Sequence, residues 1–85
     1  MTKLEEKLIK MGYYLCNKLD ACRYCKRVGL NIYKISLNKE CNKMRRMFCY
    51  VETQVMVQSE EDFKYIKNGL DGLNYDMEIL EKYEE

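Results

Sequence analysis

Residues 59–85 read SEEDFKYIKNGLDGLNYDMEILEKYEE, and their apolar spacing decides how the rest of the chain must fold. Phe63, Ile66, Leu70, Leu73, Met77 and Leu80 follow one another at steps of 3, 4, 3, 4 and 3, which places all six on one seam of an α-helix. Ser59 supplies an N-cap oxygen with Asp62 three residues on, and Glu60, Glu61 and Asp62 complement the positive end of a helix. A long amphipathic helix therefore begins here. Gly69 and Gly72 interrupt it, and each costs about 1 kcal/mol relative to Ala in an exposed helix interior. The seam runs unbroken across both glycines, which favours a close approach of the helix backbone to a sheet over a break at 68–72.

A helix of this kind needs a surface to cover, and the preceding residues supply one. Gly29-Leu30 fits a two-residue hairpin turn with Gly first, between a strand over about 21–28 and a second over about 31–37. In the second, Tyr33, Ile35 and Leu37 alternate with Ile32, Lys34 and Ser36. After the polar turn at 38–42, a third strand is expected from Met44 to Glu52, with Met47, Cys49 and Val51 on the core face and Arg46, Phe48 and Tyr50 on the other. Two shorter extended pieces, 13–16 and 53–57, each fit an edge strand or a plain connection. At the amino end, Thr2 and Glu5 form a capping box, and Leu4, Leu8 and Met11 recur at helical spacing before Gly12.

The expected fold is thus α+β, one domain over residues 1–85. It has an N-terminal helix, an antiparallel sheet of three or four strands and a long C-terminal helix, with both helices on one sheet face. A chain of 85 residues buries only roughly 60% of its unfolded surface, too little for two cores. The six-residue seam is more than one short helix can cover, which leaves monomer and homodimer both open.

Charge is segregated. Residues 1–58 carry 12 Lys and Arg against 5 Asp and Glu, and residues 59–85 carry 3 against 9, so a net charge of +1 is the sum of +7 and −6. Alternation along the strands sends Arg23, Arg27, Lys34 and Arg46 to one sheet face with Phe48 and Tyr50. Such a basic, aromatic face suits single-stranded nucleic acid, by stacking on rings and neutralisation at phosphates; it is equally what a solvated outer face with cross-strand aromatic pairs looks like. Asp71, Glu78, Glu81 and Glu85 fall off the apolar seam of the second helix and form an acidic face, either solvated or matched to a basic cleft of a protein partner.

The amino-terminal segment is charged from the start and is followed by no apolar stretch long enough for a signal peptide or membrane span, which predicts a cytoplasmic chain without membrane contact. There Cys16, Cys22, Cys25, Cys41 and Cys49 are expected reduced, and an odd count does not close into disulfides. Cys22-Arg23-Tyr24-Cys25 has the spacing of a zinc knuckle, with Cys41 and Cys49 as the remaining candidates for a four-cysteine site. Seven residues separate that second pair where two to four are usual, so buried thiols are the favoured reading and no metal or cofactor is expected. With no His, only Ser36 and Ser59 as serines and no glycine-rich phosphate loop, the chain offers no assembled nucleophile and is not expected to be an enzyme.

Thr2-Lys3-Leu4-Glu5-Glu6-Lys7-Leu8 leading to Gly12-Tyr13, together with Ser59-Glu60-Glu61-Asp62 and the closing Leu80-Glu81-Lys82-Tyr83, resemble the ends of small proteins of Gram-positive phages and prophages. That size and setting are shared by anti-CRISPR and other anti-defence inhibitors. The resemblance implies a non-catalytic interaction module, acting in the host cytoplasm on a host protein or nucleoprotein complex, and it carries over no functional residue. A nucleic-acid-binding module and a small zinc protein are the other two expectations.

Overall fold

A computed structural model describes residues 1–17 and 22–85. The elements run α1 (Lys3–Lys10), β1 (Tyr14–Asn17), β2 (Arg23–Val28), β3 (Asn31–Ser36), a 3-10 turn (Arg46–Phe48), β4 (Tyr50–Thr53) and α2 (Glu60–Glu81). The four strands form one antiparallel meander in the order β1-β2-β3-β4, and both helices lie on one side of it, as the sequence pattern implies. Residue 21, the expected start of β2, lies outside the described residues.

Local chemistry fixes the element ends. Both capping boxes close: the Thr2 hydroxyl accepts from the Glu5 N–H while the Glu5 side chain accepts from the Thr2 N–H, and Ser59 and Asp62 do the same for α2. Gly29 turns the β2–β3 hairpin at φ +61°, a value that costs a side chain but not glycine. Tyr65 of α2 accepts a hydrogen bond from the Leu30 N–H and ties this hairpin to the helix.

The core gathers Leu4 and Leu8 of α1, Tyr24, Tyr33, Ile35 and Leu37 of the sheet, and Leu73, Met77 and Leu80 of α2. Register places Tyr24 opposite Ile35, and Tyr33 opposite both Lys26 and Val51, so these side chains share the covered face. Helix α2 is continuous through both glycines. A methyl group at Gly72 would collide with the Tyr33 phenol, and one at Gly69 would press on Asn31 and Val51, so the missing side chains are what let the helix sit down on β3 and β4.

That contact rotates α2 away from the seam read in the sequence. Phe63 is 64% exposed and Leu70 47%, whereas Gly69, Leu73, Asp76, Met77 and Leu80 point inward. The inward stripe is centred on the glycines, which a hydrophobicity pattern does not count.

The expected third strand is also shorter than its alternation suggests. Only Tyr50–Thr53 pairs with β3; Met44 makes an isolated bridge to Leu37, and Arg46–Phe48 coil into the 3-10 turn. Phe48 N–H donates to the Arg45 carbonyl and Cys49 N–H to the Arg46 carbonyl, so these two donors are satisfied within the turn. Met47, expected in the core, is 87% exposed as a result. Cys49 and Val51 do pack against the core. Of the two short extended pieces, the first is strand β1 and the second adds no strand beyond Thr53.

Candidate interaction surface

The uncovered face of the sheet takes its side chains from the alternate positions of each strand. Register aligns Tyr14 with Cys25, Cys25 with Lys34 and Lys34 with Tyr50, so one transverse row crosses all four strands. Tyr14 and Tyr50 stand at its two ends, 56% and 42% exposed. Three strand spacings separate them, about 14 Å. Arg23, opposite Ser36, and Arg27, opposite Ile32, lie on β2 on either side of that row.

Several contacts hold the cations in place. The Lys34 ammonium lies 5.4 Å from the centroid of the Tyr50 ring and 3.3 Å from Glu52 Oε2. The Arg23 guanidinium lies 5.9 Å from the same ring, and its Nε donates to Ser36 Oγ at 3.4 Å. Ser36 Oγ in turn donates to the Phe48 carbonyl at 3.2 Å. Arg27 donates to Gln54 Oε1 at 3.3 Å. Against these three cations the face sets one carboxylate, Glu52, so it remains positive.

Arg46 and Phe48 do not join this row, because both belong to the 3-10 turn. Arg46 instead reaches the end of α2, with Nη2 at 3.5 Å from Glu81 and 3.2 Å from Glu84. Phe48 is exposed beside Arg45, whose guanidinium lies 4.3 Å from its ring centroid. Sequence reasoning misses Tyr14 as a site residue. Its signal is the alternation of the 13–16 segment, which sets Tyr14 and Cys16 on one face once that segment is taken as a strand.

The acidic face of α2 is thinner than the count of carboxylates implies. Asp71, Glu78, Glu81 and Glu85 are exposed, but Lys64, Lys67 and Lys82 are exposed as well and dilute them. Glu81 is engaged by Arg46, and Glu84 accepts from both Arg46 and the Met44 N–H. Asp76 is buried: its Oδ2 lies 2.7 Å from the Lys26 ammonium and accepts the Tyr13 hydroxyl at 2.7 Å. Lys26 also stands 4.7 Å from the centroid of the Tyr13 ring. Burial, with the hydrogen bond to Asp76 added, raises the Tyr13 phenol well above its ordinary value. Sequence spacing does place Asp76 beside the seam, yet only the fold shows that Lys26 meets it there.

Among the cysteines the structure departs from the expectation of five thiols. Cys16 and Cys25 are joined by a disulfide on the open face, with Cα atoms 6.0 Å apart. Cys22, Cys41 and Cys49 are free and pack against the core from the covered side. The four-cysteine set Cys22, Cys25, Cys41 and Cys49 is therefore not assembled, and no group of three or more potential metal ligands gathers among the described residues. Burial first, then the adjacent Cys22 thiol, pushes Cys41 up to about 12. Burial likewise raises Cys49.

A second basic strip runs along α1, where Lys3, Lys7 and Lys10 border a shallow groove closed by Tyr83. Glu6 stands among them, and no aromatic ring other than Tyr83 lines the groove. No described helix is long and apolar enough to cross a membrane. No protein-family model, curated protein or solved structure matches the chain.

Proposed function

We propose that the protein is a non-catalytic binding module that takes a single strand of nucleic acid across the open face of its sheet. The observation that carries this reading is the transverse row, with two exposed tyrosines at its ends, Lys34 between them and Arg23 and Arg27 alongside. Aromatic rings offer bases a sequence-tolerant stacking surface, and the cations neutralise the phosphates that connect them. A span of about 14 Å suits a short strand better than one isolated base. The acidic face of α2 is the weaker contact surface, because Lys64, Lys67 and Lys82 share it and Glu81 already pairs with Arg46.

The test is fluorescence anisotropy with a labelled single-stranded DNA and RNA of mixed sequence at low salt. Binding should weaken with salt at a slope of about −2 on logarithmic axes, as neutralisation of three phosphates at about −0.7 each requires. Tyr50→Ala and Tyr14→Ala should each lower affinity about tenfold, since one stacked base is worth about 1–3 kcal/mol. Absence of binding at low salt would sink the proposal. The reading as an inhibitor of a host defence complex rests on the resemblance of the two chain ends, and none of the contacts above adds to it.

A further inference from the structure

The Cys16–Cys25 bond lies inside the surface just assigned, and nothing in that assignment uses it. Cys25 holds the position in the row between Tyr14 and Lys34 and is 3% exposed. Cys16 is exposed, at the point where the β1–β2 register shifts between Leu15 and Asn17. A residue at such a shift is left out of the ladder, so its side chain is free to turn toward its neighbour. Among the described residues, strand β1 has a single partner and pairs with it through Tyr14, Leu15 and Asn17. The sulfur bridge thus adds a cross-link between the edge strand that carries Tyr14 and strand β2, beyond the peptide chain that joins residue 17 to residue 23.

We infer that this cysteine pair is a redox latch on the open face. With the bond formed, β1 is pinned to β2 and Tyr14 stands in line with Lys34 and Tyr50. With both thiols reduced, β1 is held by its short ladder and by the buried Tyr13 at its start, and Tyr14, no longer backed by the sulfur bridge, offers a less fixed stacking surface. The inference rests on the nucleic-acid reading of that face for its ligand, and on the placement of the two sulfurs for the latch itself. Where disulfides form in reducing compartments they are usually transient and act as sensors, so the expectation of a reducing environment does not remove the latch.

The difference in exposure sets the order of the chemistry. Toward oxidation, the accessible Cys16 thiolate attacks one sulfur of glutathione disulfide, forms a mixed disulfide and releases one glutathione thiolate. The Cys25 thiolate then attacks the Cys16 sulfur, forms the intramolecular bond and releases the second glutathione thiolate. Two electrons pass from the cysteine pair to glutathione, and the two thiol protons leave with the released thiolates. Reduction runs the same steps backwards, beginning with attack of glutathione thiolate on the exposed sulfur. Cys22, Cys41 and Cys49 lie on the covered side of the sheet and stay outside this exchange.

The full chain is equilibrated in oxidised and reduced glutathione buffers, alkylated and mapped by mass spectrometry, and its affinity for a labelled single-stranded DNA is read by anisotropy. The expected result is a Cys16–Cys25 linked peptide in the oxidised sample and affinity about tenfold higher than in the reduced one, the effect of one stacking platform. Cys16→Ser should abolish the difference, and Cys22→Ser should keep it. Equal affinity in the two states, or a linked peptide that joins other cysteines, overturns the latch. Failure of the ligand reading looks different: neither state binds at low salt, while hydrogen exchange at the β1 amides still slows on oxidation. Equal exchange in both states overturns the latch by itself.

Discussion

Gly72→Ala should destabilise the protein although it improves the helix. In an exposed helix interior, Ala is favoured over Gly by about 1 kcal/mol. At this position the added methyl would overlap the Tyr33 hydroxyl and lie 3.0 Å from Cζ and 3.4 Å from a ring carbon. Tyr33 is itself held in the core, 6% exposed, between β3 and α2, so the ring has little room to swing away. Overpacking costs about 1–3 kcal/mol, and against so confined a ring the upper part of that range, about 2–3 kcal/mol, applies, which leaves a net loss on the order of 1–2 kcal/mol after the helix gain. For a domain of this length that loss lowers Tm by roughly 5–15 °C. Tyr33→Phe removes the clashing oxygen, and in that background the remaining 3.0 Å approach needs a shift of only a few tenths of an ångström. Gly72→Ala should then be close to neutral. Urea melts of the wild type, both single variants and the double variant give the coupling directly, expected at about 1–2 kcal/mol. A Gly72→Ala protein more stable than wild type would refute the close approach, since helix propensity alone would then be governing the site.

Asp76→Ala should be among the more damaging single changes, because it strands the Lys26 ammonium and the Tyr13 hydroxyl under α2. Breaking a fully buried pair costs about 3–5 kcal/mol, and the residual exposure of both side chains, 21% and 11%, brings the expectation to about 2–3 kcal/mol by chemical denaturation. A loss below about 1 kcal/mol would contradict the burial of this pair. Alkaline pH should unfold the protein through Tyr13 and Tyr24, both raised above the ordinary phenol, first by burial and then by hydrogen bonds to Asp76 and Glu5. A raised acid keeps its proton in the folded state, so the stabilisation is complete below the unfolded value of about 10 and declines above it, at about 3 kcal/mol per pH unit for two groups. Tyr24→Phe should remove one group's share, at most about 1.4 kcal/mol per pH unit, from the slope of alkaline denaturation curves, to which the raised Tyr33, Cys41 and Cys49 also contribute. Arg46→Ala should loosen the 38–48 segment from the end of α2, read as faster hydrogen exchange at Met44 and Glu85, with less than about 1 kcal/mol of global cost because the pairs are exposed.

What is legible in the sequence is chemistry that acts within a few residues. Thr2 with Glu5, Ser59 with Asp62, and Gly29 at the hairpin each satisfy or turn backbone next to themselves, so the element ends follow from them. The phase of α2 is harder to read. A spacing rule weights Phe63 and Leu70 and ignores glycine, whereas the helix is seated by what Gly69 and Gly72 lack. Residues 44–49 depart from expectation for another reason: their strand-like alternation is local, but Glu84, distant in sequence, accepts from Met44 and Arg46 and holds the segment in a turn. In the candidate surface, period-two alternation places Arg23, Arg27, Lys34 and Tyr50 correctly. It reaches Tyr14 only once residues 13–16 are taken as a strand, and it does not find the Cys16–Cys25 pair, because a register shift in β1 has no signature in the sequence.

The buried pair and the open face are two consequences of one register. Strand β2 carries Arg23, Lys26 and Arg27, and an extended chain cannot send all three to the same side. In the observed phase Arg23 and Arg27 reach the open face, and Lys26 must enter the covered one. Asp76 and Tyr13 are the groups that receive it there. A slip of one residue would put Arg23 and Arg27 under the helices, where the carboxylates at hand, Glu5 and Asp76, already accept from Tyr24 and Tyr13, and would leave Lys26 outside. Desolvating a guanidinium without a well-placed partner costs several kcal/mol, whereas in the observed phase the one buried cation, Lys26, meets Asp76 at 2.7 Å. The acidic half of the sequence thus acts on the basic half from inside the fold. By pairing with Lys26, Asp76 favours the phase in which Arg23 and Arg27 face outward, and with them the positive sign of the surface where Tyr14, Lys34 and Tyr50 align.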